Sequence, residues 1–184
     1  MTLTDWTAPT YTQMLGALAS WLRKAEGQIG TEAADALLSA RLADDMFPLA
    51  TQVSFACRQA LEGTYRLRGE AFPPIVDVVL EEGRGAGDNP GNIARSLARI
   101  DEVVALIASL DPIAPDAESS MPHELPNGMT FDFTAQQYVR DWALPQFYFH
   151  LMTAYAILRS RGIELGKADY VAHLFPFLRQ PPAA

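Results

Sequence analysis

His150 is the residue of this sequence whose setting most invites a chemical role. It stands inside "LPQFYFHLMTAYAILRSRG", Leu144 to Gly162, the longest apolar run of the chain, with Gln146 one helical turn before it. An imidazole there could ligate a metal, serve as a base, or sit hydrogen-bonded in a core, because its neutral ring offers one donor and one acceptor near neutral pH. On a helical wheel Phe147, Leu151, Ala154 and Leu158 share one face, while Gln146, His150 and Ile157 line the adjoining flank. The histidine therefore looks inward or sideways toward a neighbouring helix. The plainer role for it is a buried ring satisfied by a carbonyl or a carboxylate.

The other reactive side chains are poorly placed. Cys57 falls on the apolar side of a helical stretch with Val53 and Ala60, where a thiol behaves as a small hydrophobe. His123 lies between prolines in "SSMPHELPNG" and His173 in "VAHLFPFLRQ", and neither has ligand spacing to the other or to His150. Paired cysteines and a His-Glu-x-x-His run are absent, as is a nucleophile-elbow serine. The run "EEGRGAGDNPGN" matches neither phosphate-binding glycine pattern and reads as a loop.

The elements that must position His150 are helical. From Thr10 to Ile29 the apolar residues Tyr11, Met14, Leu15, Leu18, Leu22 and Ala25 recur at three and four, with Pro9 just ahead and Gly30 just after. Thr31 to Leu67 reads as a second helical stretch, capped by Thr31, with Leu38, Leu42, Met46, Leu49, Val53 and Ala56 on its buried side. Pro48 interrupts it and predicts a kink or short break near "DDMFPL", where Asp45 lies. Residues 69–92 read as a connection, with Ile75 to Leu80 extending as a short helix or strand. Ile93 to Leu110 has helical period again. An Asn-Gly pair at 127–128 marks a loop or small hairpin, and a fourth helix follows, led in by Ala135 to Trp142, broken at Leu144-Pro145, and running from Gln146 to Ser160. Four such segments predict an all-α fold, a four-helix bundle in a single domain over residues 1–184, with the hairpin inserted between helices three and four.

Composition narrows the function. The 184 residues carry a formal net charge of -8, which works against a phosphate-backbone partner, so nucleic acid is excluded. No apolar run is long and uncharged enough to span a membrane. A lone cysteine forms no internal disulfide, no signal-peptide pattern opens the sequence, and a cytoplasmic protein is expected. The back of the fourth helix, Phe149, Met152 and Ala156, makes a second apolar stripe that predicts a homodimer.

"RLADDMFPLATQV" followed by "LPQFYFHLMTAYAILRSRGIELGKADY" resembles a bacterial domain-of-unknown-function family, number 1993, placed among the DinB-like (YfiT-like) metalloenzymes; the likeness runs from about Met14 to Tyr170. The resemblance implies a bundle holding a divalent metal with three histidines, one on the second helix and two on the fourth at i and i+4, followed by an arginine and a glycine. Counted back from Arg159 and Gly162, His150 takes the last of these positions and Gln146 its i-4 partner, and Asp45 is the candidate for the second helix. Two of the three histidines are thus replaced, and glutamine is a poor ligand for zinc or nickel beside imidazole. The expectation is a polar pocket of Asp45, Gln146 and His150 that binds a small molecule without metal or other cofactor. The alternative is a divalent metal held by Asp45 and His150 in a metal-dependent enzyme such as a thiol-dependent transferase.

Overall fold

A capping box opens the first helix: the Asp5 amide donates to Thr2 Oγ1 and the Thr2 amide donates to the Asp5 carboxylate, satisfying donors that a helix start leaves unpaired. In the computed structural model, which describes residues 2–179, α1 accordingly spans Leu3–Ile29. Pro9, expected just ahead of the helix, lies inside it. The ring costs one backbone bond, to the carbonyl of Asp5, but the two added turns bury Thr7 and bring Leu3 against a small second core.

The second stretch divides more deeply than a kink. α2 covers Thr31–Leu37 and α3 covers Leu49–Arg68, with Pro48 as the cap residue of α3. The intervening segment 38–48 is irregular, so Leu42, expected on the buried side, is 44% exposed. Residues 69–92 hold a genuine helix, α4 at Ile75–Gly85, longer than the short element expected. Its end is fixed by contact with α3: Thr51 Oγ1 donates to the Gly83 carbonyl at 2.8 Å, and a Cβ at Gly83 would collide with the Phe55 ring.

α5, Ile93–Ala108, starts at Asn92, whose side-chain oxygen accepts from the Arg95 amide, while Asp35 accepts from the Ile93 amide. The hairpin forms as β1, Ser120–Glu124, antiparallel to β2, Thr130–Thr134, with His123 opposite Phe131. The final helical run does not break at Leu144-Pro145. Ala135–Gln137 (α6) passes through a π-helical turn at Tyr138–Ala143 into α7 at Leu144–Ser160. The Leu144 amide reaches back five residues to the Val139 carbonyl, and this wider turn carries the helix past Pro145. Short helical turns at Lys167–Tyr170 (α8) and Ala172–Phe177 complete the described chain.

α3 is the central element and packs against α7, α4, α1 and α5. The main core gathers Tyr11, Leu15, Leu18, Trp21, Leu61, Phe147 and Leu151, all essentially without solvent contact. A smaller core lies under the hairpin, where Leu67, Ala135, Tyr138, Val139 and Ala143 meet Met121, Phe133 and Trp142. The helical wheel of α7 holds: Phe147, Leu151, Ala154 and Leu158 are buried, with His150 and Ile157 buried on the adjoining flank.

Candidate functional site

α3 and α7 bring together two side chains 98 positions apart. His150 Nδ1 and Gln52 Oε1 lie 2.9 Å apart, both residues are buried, and Gln52 Nε2 donates to the Phe47 carbonyl at 3.2 Å. These contacts fix the chemistry of the ring. With its nitrogen on the Phe47 carbonyl, the amide presents its oxygen to the imidazole, so Nδ1 carries the proton and Nε2 keeps its lone pair. Burial, with a smaller contribution from the Arg58 charge, pushes the His150 pKa down to about 4, so the ring is neutral at physiological pH.

Aromatic edges enclose the pair. Phe55 meets the His150 ring at 5.3 Å and Phe47 at 5.8 Å, both edge-to-face, and Phe149 meets the imidazole at 5.4 Å. Phe47 and Phe149 are more than half exposed, so apolar surface reaches from this buried pair to solvent.

The expected trio is distributed differently. Asp45 is exposed in segment 38–48, and the side chain that α3 presents to His150 is Gln52. Gln146 is half-buried one turn from His150, with no hydrogen-bonding partner among the described residues. Sequence reasoning passed over Gln52 because a glutamine among apolar neighbours reads as a surface position. Its signal was there: Gln52, Phe55, Gln59 and Arg66 recur with helical spacing on one face. Among the described residues no group of three histidine, cysteine, aspartate or glutamate side chains is placed to hold a metal ion.

The same face of α3 continues as a polar seam toward the hairpin. Arg58 donates to Glu62 at 2.7 Å, and buried Gln59 Oε1 has no partner. At the far end His123, which the sequence placed in a loop, is buried on β1 with its ring 4.5 Å from Trp142 and 5.7 Å from Tyr138. Burial, then the charges of Arg66 and Arg58, brings its pKa down to about 4. The strand alternation Phe131, Asp132, Phe133 opposite it was the legible hint of an inward face.

A groove of about 540 Å³ lies elsewhere, between α3, α4 and α5. Its two arginines, Arg95 and Arg99, both pair with Glu82. Burial works to raise the Glu82 carboxyl, but Arg99 and Arg95, donating at 2.8 and 2.9 Å, hold it below the usual range. This cluster ties α4 to α5. Cys57 is fully buried nearby, and burial pushes its thiol up to about 12, the character of a core residue.

Comparison with known proteins adds lineage to this geometry. A family model described as domain of unknown function (DUF1993) matches residues 3–171. A crystal structure of a DinB family member protein from Shewanella denitrificans is 30% identical, covers 99% of this chain and 95% of its own, and superposes with a TM-score of 0.73. No functionally curated protein matches the chain.

Proposed function

Because the chain belongs to the DUF1993 family and shares its fold with a DinB family member, we propose that it is a metal-independent DinB-like four-helix bundle, binding a small molecule at the α3–α7 site. The four long helices α1, α3, α5 and α7 are the bundle in this reading. The observation that carries it is the bond between His150 and Gln52. A three-histidine site needs imidazoles converging from both helices. Here α3 supplies a neutral amide, already committed to the Phe47 carbonyl, and position 146 supplies another. One imidazole and two amides, with no group of three histidine, cysteine, aspartate or glutamate side chains placed to hold a metal among the described residues, do not fit a zinc or nickel centre.

The site suits an organic ligand better. His150 Nε2 is an acceptor at the base of an aromatic surface made by Phe47, Phe55 and Phe149, and this combination fits an apolar molecule bearing one hydrogen-bond donor. Gln146 and the exposed Asp45 are proposed as the polar rim. The stripe Phe149 and Met152, exposed at 58% and 38%, is proposed as the homodimer face.

Elemental analysis of protein purified without chelator or nickel affinity resin tests the proposal. The expected result is metal far below one equivalent, and no rise in melting temperature on adding zinc, nickel or manganese. Stoichiometric metal that disappears in His150→Ala would reverse the reading in favour of a metal-dependent, thiol-using enzyme.

A further inference from the structure

α3 carries three arginines near the hairpin, and two have anionic partners. Arg58 pairs with Glu62 at 2.7 Å, and Arg68 pairs with Glu70 at 2.9 Å while also donating to the Asp111 carbonyl. Arg66 has no acceptor among the described residues, and its Nε is buried without a partner. The guanidinium instead lies over two rings, with its central carbon 5.5 Å from the Phe72 centroid and 5.9 Å from that of Tyr138. Stacking of this kind orients a guanidinium and supports its charge, but leaves its in-plane donors unused.

Arg66 also borders a cavity. Arg66 lines a groove of about 440 Å³ between the end of α3, the α3–α4 connection and β1, whose walls include Phe72, Met121 and Pro122, with Ser120 at one side. Glu70, the one acidic wall residue, is already engaged by Arg68. The groove is thus apolar-walled, with a single unneutralised cation held in a fixed plane. It is separate from the His150 site, at the opposite end of the α3 seam.

From this juxtaposition we infer that the groove between α3 and β1 is a second binding site, for a small organic carboxylate with a flat apolar body. The carboxylate takes two parallel bonds from the two Nη groups of Arg66, the geometry a guanidinium fork matches. The body lies against Phe72, Met121 and Pro122, and Ser120 Oγ can donate a further bond. The volume falls within the range of ordinary small-molecule sites.

Sodium benzoate is a suitable probe, with benzamide as its neutral isostere, in calorimetric titration of the full chain at constant ionic strength. The expected result is saturable benzoate binding, absent for benzamide, weakened about tenfold or more in Arg66→Gln and retained in Arg95→Gln. Equal binding of benzamide, indifference to Arg66→Gln, or loss in Arg95→Gln would overturn the assignment. Circular dichroism checks that Arg66→Gln is folded. On the wild type, the assigned Arg66 Nε–H resonance should shift with benzoate, and a resonance that stays fixed through saturation overturns the site independently of any variant.

Discussion

Across the interface of α3 and α7, His150 Nδ1 and Gln52 Oε1 face each other at 2.9 Å, and the amide is itself held by the Phe47 carbonyl. Each group answers the other's hydrogen-bonding need in a place where water has little access. The relay makes the two residues one unit: removing His150 orphans the buried Gln52 Oε1, and removing Gln52 orphans the buried His150 Nδ1.

His150→Ala and Gln52→Ala should each lower stability by about 1 to 3 kcal/mol, the cost of an orphaned buried polar group. The double variant should fall short of the sum by roughly 1 kcal/mol, because the second change removes a group already orphaned by the first. Denaturant melts of the four proteins measure this. Strict additivity would mean that the bond contributes nothing.

Stability should fall on acidification with a recognisable sign. His123 and His150 are both held near 4 in the fold, against an ordinary value of about 6.5 in an unfolded chain. The fold favours the neutral rings, so their contribution is fully present above about pH 6.5. It is lost as pH drops toward 4, because the unfolded chain takes up protons that the folded one refuses, by on the order of 2 kcal/mol per histidine. Urea unfolding from pH 7.5 to 4.5 should show the decline, and His150→Ala should show a shallower one.

Gly63→Ala should destabilise although alanine is the better helix former by about 1 kcal/mol. A Cβ at Gly63 meets the Tyr11 hydroxyl, and Tyr11 is fully buried among Phe147 and its neighbours, so the ring cannot withdraw. The expected net loss is about 1 to 3 kcal/mol. Gly27→Ala, which meets nothing in the same class of position, should stabilise slightly and serves as the control.

The assembly proposal rests on Phe149 and Met152. Light scattering should give twice the chain mass at micromolar concentration, and Phe149→Glu should give the monomer by placing a charge in an apolar contact. A monomeric wild type would remove the second subunit as the cover for this stripe.

Local chemistry made most of the helices legible before any fold was known. Tyr11, Leu18 and Leu22 recur at three and four, Phe147, Leu151 and Leu158 share a face, and an Asn-Gly pair sits in the hairpin turn. All of these express a period or a turn preference within a few residues of themselves. The inward placement of His150 was legible for the same reason. Its partner was not. The family resemblance points to Asp45 for the second helix, yet the chain around it is irregular and Asp45 is exposed, and one turn into α3 it is Gln52 that turns inward. Nothing in the local pattern separates a glutamine that caps a surface from one that spans a helix interface, because the difference lies in a residue 98 positions away. The π turn that carries the last helix past Pro145, and the burial of His123 beneath Trp142, are likewise decided by packing. They exist because the hairpin and α3 close over one end of that helix, and closure of distant segments is a property of the folded chain rather than of any stretch of its sequence.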